Sequence, residues 1–211
     1  AEELVTTTQR LSDLVSDYAK ADYISVDTET DGVLITRKCI GVSFAKNLSE
    51  AFYVPILIYQ NGELKSPWKP DALETVKNLV RSLLTTKKNL ILHNAIFDCR
   101  VFVNWLGVNP LEFVFADTML LAHTVYNEEG PLGLKPLAAE LIDQNAALPQ
   151  ADVKASVAAN GGTTTKTNFE MFKCDYKILG RYACYDAAYT IQLFRILYPK
   201  DRKSTRLNSS H

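Results

Sequence analysis

The sequence predicts an α/β fold, a mixed sheet with helices on both sides. Three short strand-like runs come early with brief connections, the pattern of an antiparallel meander. Later apolar runs are separated by helical periodicities, which suits parallel strands joined by crossovers. With 211 residues and 47% hydrophobic content, the chain is large enough for one core-bearing domain.

The elements follow in order. Leu4 to Lys20 reads as an amphipathic helix, with Leu4, Leu11, Leu14, Val15 and Tyr18 on one stripe. Tyr23 enters a strand that carries Asp27 and Glu29. Cys39–Ala45 and Ala51–Pro55 read as two more strands. Asn61-Gly62 signals a tight turn in a surface excursion. Pro70-Asp71 opens a helix to about Leu84, and Asn89–Leu92 is a short buried strand before a helix from Ala95 to Leu106. Phe113–Ala116 is another strand, and Asp117 caps a helix running through Tyr126. Leu134–Ile142 is helical. The polar stretch from Asp143 to Lys173 reads as a long loop or a mobile helical insertion. A last helix spans Asp175 to Tyr198.

Residues 1–200 form the expected domain, and residues 201–211 a disordered or non-native tail without apolar periodicity. That tail resembles, residue for residue, a translated sequencing-library adapter, which implies a natural chain continuing beyond Lys200. The chain does not begin with Met, as an excised fragment would not.

Composition narrows the function. The net charge is −1, so a general electrostatic hold on long duplex DNA is absent and any nucleic acid must be gripped locally. The longest apolar run, Phe52 to Tyr59, is too short for a membrane span and is broken by Pro55. The four cysteines, Cys39, Cys99, Cys174 and Cys184, are scattered without a Cys-x-x-Cys pair, so free thiols are expected rather than zinc ligands. With no secretory signal, the expected location is the cytoplasm of a bacterial or phage-infected cell.

Chemistry concentrates in three places. Asp27 and Glu29 lie two apart on one strand and therefore share a face. Two like charges so close are tolerable with a cation between them, and hard oxygens suit Mg²⁺ or Mn²⁺. Asp98 falls in the first turn of a helix that follows a sheet strand, where α/β sheets place ligands. Such an acid also complements the helix dipole. Asn94 stands one turn earlier as an expected N-cap. Tyr182 and Asp186 are four apart on one face of an otherwise apolar helix, where an acid is costly to bury unless paired or bound to a cation.

Asp-x-Glu on a first strand, Asn-x-x-Phe-Asp opening a middle helix and Tyr-x-x-x-Asp on a last helix form an ordered set. The set resembles the DEDD superfamily of 3′→5′ exonucleases, on a ribonuclease H-like fold, in the subclass with tyrosine in the third motif. In the histidine subclass a His stands five before the last Asp, where this chain has Arg181. Asp117-Thr118-Met119-Leu120-Leu121 and Gly133-Leu134-Lys135-Pro136-Leu137-Ala138 look like the corresponding stretch of family A DNA polymerases. The region from Asn160-Gly161-Gly162 to Gly180-Arg181-Tyr182 looks like phage-type members.

The resemblance implies two divalent ions, Mg²⁺ or Mn²⁺, held by Asp27, Glu29, Asp98 and Asp186 roughly 3.5–4 Å apart. It implies that Tyr182, alone or with Glu29, orients the attacking water, a role that suits a phenol of pKa about 10 better than proton abstraction. The backbone near Thr28 and the side chain of Asn94 match positions near the terminal nucleotide, and Val33 falls where relatives carry a larger apolar wedge. Phe97 is expected in the core, and His93 and His123 as neutral structural residues. The implied partners are a single-stranded or frayed DNA 3′ end and a polymerase domain in the same natural chain, with no membrane. Rival readings are a ribonuclease D-like trimmer of RNA, a nucleic-acid-binding module without turnover, and a structural domain whose acids are ordinary caps and surface charges.

Overall fold

The computed structural model describes residues 2–32, 38–127 and 129–208, with side chains to residue 203. Its first element is a strand, β1 (Glu2–Leu4), and the first helix, α1, spans Thr8–Tyr18. The helix expected from Leu4 therefore starts later. Leu4 is seven positions before Leu11 and fits the apolar stripe by spacing alone. Three consecutive threonines lie between, and the Thr7 side chain accepts the Arg10 N–H at 3.2 Å as the N-cap.

β2 (Ile24–Thr30), β3 (Cys39–Asn47) and β4 (Glu50–Pro55) form the expected antiparallel meander. β5 (Ile58–Gln60) and β6 (Glu63–Lys65) make a separate hairpin. Its Asn61 and Gly62 both have positive φ, 51° and 79°, as a two-residue primed turn requires. α2 (Pro70–Leu84) begins with its proline, whose missing N–H is no loss in a first turn. β7 (Leu90–Leu92), α3 (Ala95–Leu106) and β8 (Val114–Asp117) follow, then α4 (Thr118–Tyr126) and α5 (Leu134–Leu141). The main sheet runs β1-β4-β3-β2-β7-β8, with β1 parallel to β4, and β7 and β8 parallel to β2.

The stretch expected as a loop or helical insertion contains α6 (Leu148–Ala159). Only Val153, Ser156 and Val157 are buried there, too few to print a strong period on the sequence. The last helix, α7, spans Tyr176–Asn208, so its backbone continues through Pro199 into the segment expected to be a tail. Extending an existing helix needs no new nucleus, which lowers the demand on those residues.

Strand alternation divides the core into two layers. On one face Ile24, Val26, Phe44, Phe52, Leu90 and Leu92 pack with residues of α1, α2 and α3. On the other, Ala45, Ala51, Tyr53 and Ile91 meet Ala183, Ala187, Ile191 and Phe194 of α7 and Val153 and Val157 of α6. Farther out, Leu193 and Leu197 of α7 bury Ala122 of α4 and Leu137 of α5. Small residues let α7 come close to the sheet. A Cβ on Gly180 would stand 2.8 Å from Tyr53 Cδ1, and one on Gly41 only 1.9 Å from the Tyr53 hydroxyl. Tyr53 is fully buried and cannot easily retreat. Gly41→Ala is therefore expected to destabilise the protein by about 1–3 kcal/mol through overpacking, measured as a lower urea midpoint with an unchanged slope.

Candidate active site

β2 brings Asp27 and Glu29 onto the α7 side of the sheet, opposite Ser43 and Gly41 of β3. α7 brings Tyr182 and Asp186 to the same place. Its register against β2 is set by the Ser25 hydroxyl, which donates to the Ala187 carbonyl at 2.5 Å. The result is a group of carboxylate oxygens from Asp27, Glu29 and Asp186, all within 4.8 Å of one another. Glu29, Asp186 and Tyr182 are buried, and Asp27 is half-buried.

Asp98 joins from the first turn of α3 and stands just outside that trio. β7 is short, so beyond Ser25 β2 has no ladder partner on that side. There the Thr28 N–H donates to Asp98 Oδ1 at 3.0 Å, and the Thr28 hydroxyl donates to the same oxygen at 2.6 Å. Thr28 thus anchors Asp98.

The start of α3 is held by a residue read from sequence only as the cap of α4. Asp117 Oδ1 accepts the N–H of Met119 at 2.9 Å and of Asn94 at 3.0 Å, and Oδ2 accepts the N–H of Ala95 at 2.8 Å. One carboxylate therefore caps both helices. Asn94 sits at the expected cap position but in a left-handed conformation, and its side chain makes no cap bond. It is exposed at the helix start. His93 Nδ1 lies 2.8 Å from the Thr118 hydroxyl oxygen, and burial pulls its imidazole below the usual range, in keeping with a neutral structural role.

The electrostatics are those of acids forced together. Loss of hydration, then the charges of Asp98, Glu29 and Asp186, pushes Asp27 well above the usual carboxylate range. Glu29 is raised by burial and by Asp186. Burial pushes Asp98 up to about 7 despite the two opposing bonds from Thr28. The Tyr182 phenol is raised by burial and by Asp186, so at neutral pH it keeps its proton. Against this stands Lys135, on α5, quoted above only within a flanking motif. Its ammonium pairs with Asp186 Oδ1, donates to the Tyr182 hydroxyl at 3.3 Å and lies 4.5 Å from the centre of that ring. Its charge favours the ionised forms of Asp27 and Glu29. An unpaired Lys in a helix-start motif gives no sequence signal of this role.

The residues present fit a divalent cation. Hard oxygens from three acids converge, and Glu29 Oε1 is buried without a hydrogen-bond partner. Ser43 Oγ, opposite Asp27, is likewise buried and unpartnered. Beside Glu29 a cavity of ≈ 210 Å³ is lined by Thr28, Glu29, Thr30, Gly32, Phe97, Phe169 and Met171. Phe97, expected in the core, is half-buried and forms part of that wall. Val33 lies outside the described residues. The four cysteines are free and buried. Among the described residues no helix is long and apolar enough to cross a membrane.

Comparison with known proteins agrees with this geometry. The family model described as 3′-5′ exonuclease, of the DNA polymerase A type, matches residues 3–200. DNA polymerase I of Borreliella burgdorferi is 34% identical over 122 residues, 57% of this chain and 12% of the polymerase, so the chain spans a small part of that relative. Among solved structures, Brucella melitensis NrnC bound to pGG aligns with TM-score 0.61 at 18% identity, covering 99% of this chain and 83% of that one. The Trypanosoma brucei RNase D–GMP complex gives 0.66 at 14% identity, over 93% and 56% of the two chains. Escherichia coli RNase D gives 0.59 at 16% identity, over 97% and 46%. These share the ribonuclease H-like mixed sheet expected from the motif order. With a family match over nearly its whole length, the chain belongs to the 3′-5′ exonucleases of the DEDD type.

Proposed function

We propose that this chain is the proofreading exonuclease domain of a family A DNA polymerase, removing 5′-mononucleotides from a DNA 3′ end. The observation that carries the choice of DNA is the sequence match to a DNA polymerase, at 34% identity, whereas the RNase D and NrnC structures resemble it in fold at 18% or less. Those structures favour a second reading, an RNA-trimming exonuclease with the same chemistry. The natural partner in the leading reading is a polymerase domain in the same chain, and the likeness to phage-type members belongs to it.

Asp27, Glu29 and Asp186 would hold one divalent ion, Mg²⁺ or Mn²⁺, and Asp98 with Asp27 a second. Bound ions of this kind offset phosphate charge and lower the pKa of water. Tyr182, protonated beside Asp186, is suited to orient the attacking water rather than to take its proton. The cavity lined by Thr28, Phe97, Phe169 and Met171 offers an apolar face to a terminal base, with Asn94 and Val33 as further candidate contacts.

Labelled DNA and RNA oligonucleotides of one sequence decide between the readings. The protein is expected to shorten single-stranded DNA from its 3′ end with Mg²⁺ or Mn²⁺, to stop in EDTA and to prefer DNA. Preferential digestion of RNA would transfer the assignment to the second reading. Asp27→Ala is expected to lower the rate by about a hundredfold or more with the fold intact by circular dichroism, and full activity in that variant would sink the metal mechanism. Tyr182→Phe is expected to lose less than Asp186→Ala in single-turnover rate, because orientation is a smaller contribution than holding an ion.

Stability should report the same cluster. A carboxyl group whose pKa is raised by folding stabilises the fold below its unfolded value and loses that contribution as pH rises through the folded value. Asp98, at about 7, Asp27 and Glu29 are all of this kind. The surface acids Glu3, Asp17 and Glu50 are lowered by Arg10 and Lys46, and act in the opposite sense only near the ordinary carboxylate range. Metal-free protein is thus expected to show a falling Tm from about pH 5 upward through about pH 7. Mg²⁺ should restore more at the alkaline end, as scanning calorimetry in EDTA and in Mg²⁺ would record.

A further inference from the structure

Lys135 sits at the second residue of α5, the end where a helix presents positive partial charge and favours acids rather than bases. No acidic residue occupies that first turn. The helix alone gives the ammonium no reason to be there. Its place is explained by what it faces. The side chain is 16% exposed and Asp186 is 7% exposed, so the pair is far better shielded than the surface bridges of Arg10 or Lys46. The backbone beneath it is fixed, since Leu137 and Ala138 on the next turn are fully buried against α7. Three neighbouring contacts, to the Asp186 carboxylate, the Tyr182 hydroxyl and the Tyr182 ring, aim the charge into the carboxylate group rather than along its rim.

Within the carboxylate group Asp186 Oδ1 already has a cation, while Glu29 Oε1 has no partner. An ammonium and a divalent ion bound by Asp186 compete, because like charges a few ångströms apart in a poorly hydrated site repel strongly. We propose that Lys135 is a built-in counter-cation of the carboxylate cluster, holding Asp186 and the Tyr182 phenol in place without metal and yielding Asp186 when a divalent ion binds, so that it sets the metal affinity of the site. This rests on the metal-dependent reading above and adds a positioning residue to it. The exchange moves no covalent bond; one ion pair opens as another forms. Lys135 would hold Asp186 in place beside Glu29 between turnovers, with weaker metal binding as the consequence.

The test is a Mn²⁺ titration followed by the electron paramagnetic resonance of the free ion, with the whole chain at neutral pH and fixed ionic strength. Wild type, Lys135→Gln, Lys135→Met and Lys135→Arg are compared, each also melted in EDTA. The neutral variants are expected to bind Mn²⁺ about tenfold more tightly, to melt lower than wild type in EDTA and to gain more from Mn²⁺. Lys135→Arg should stay near wild type in affinity because it keeps the charge. Mn²⁺ binding by wild type with no tightening in Gln or Met, or with weakening, would overturn the counter-cation role alone. Failure of wild type to bind Mn²⁺ would overturn the metal reading and this inference with it.

Discussion

Three carboxyl groups, those of Asp27, Glu29 and Asp186, converge here because the packing of α7 on β2 leaves them no room to separate. Gly180, Ala183 and Ala187 present a nearly flat helix face to the sheet, and the Ser25–Ala187 bond fixes how far along β2 that face lies. Asp186 is then delivered beside Asp27 and Glu29 whatever their mutual repulsion. The favourable burial of Tyr53, Ile91, Ile191 and Phe194 in the same layer offsets that repulsion. Stability gained over the whole interface is thereby used to hold an unfavourable arrangement at one end of it, the usual relation between a scaffold and a reactive site.

A different constraint places Asp98, which comes from α3 rather than from β2 or α7. It approaches across the unpaired side of β2, beyond the end of β7, and its Oδ1 is fixed by both polar groups of Thr28. The position of α3 that allows this depends in turn on Asp117, whose two oxygens join the starts of α3 and α4. A change in β8 or α4 would thus reach Asp98 through a backbone cap, without touching any acid of the cluster. Asp98 is held by one strand and one cap, whereas Asp186 is held by a long helix against a sheet.

Local spacing makes much of this legible in the sequence. Two acids at strand period share a face, and Tyr182 and Asp186 at helical period share another, so each half of the site was readable by itself. The antiparallel meander, the Asn61-Gly62 turn and the proline opening of α2 were readable for the same reason, since each is decided by neighbours in sequence. β1 was hidden because Leu4 happens to fall on the period of α1. α6 was hidden because three buried residues make a weak stripe. Lys135 and the second role of Asp117 were invisible for a stronger reason. Both depend on partners at least 22 positions away, Lys135 through Asp186 and Tyr182, Asp117 through Ala95 and Asn94. No local pattern encodes such pairs.

That distinction bears on how the site works. The acids that the motifs reveal are the groups that chemistry fixes, since any divalent ion demands hard oxygens. The groups the motifs do not reveal control how those acids behave when no ion is present. Lys135 moderates their repulsion and Asp117 fixes the helix that carries one of them. A nuclease that must load its ions needs acids that stay in place while unliganded; burial and mutual repulsion push Asp27, Glu29 and Asp98 toward their protonated forms, and Asp186 is held instead by its ion pair with Lys135. Placing one ammonium against Asp186, and leaving Glu29 Oε1 free, keeps the cluster assembled while preserving an open ligand for the ion.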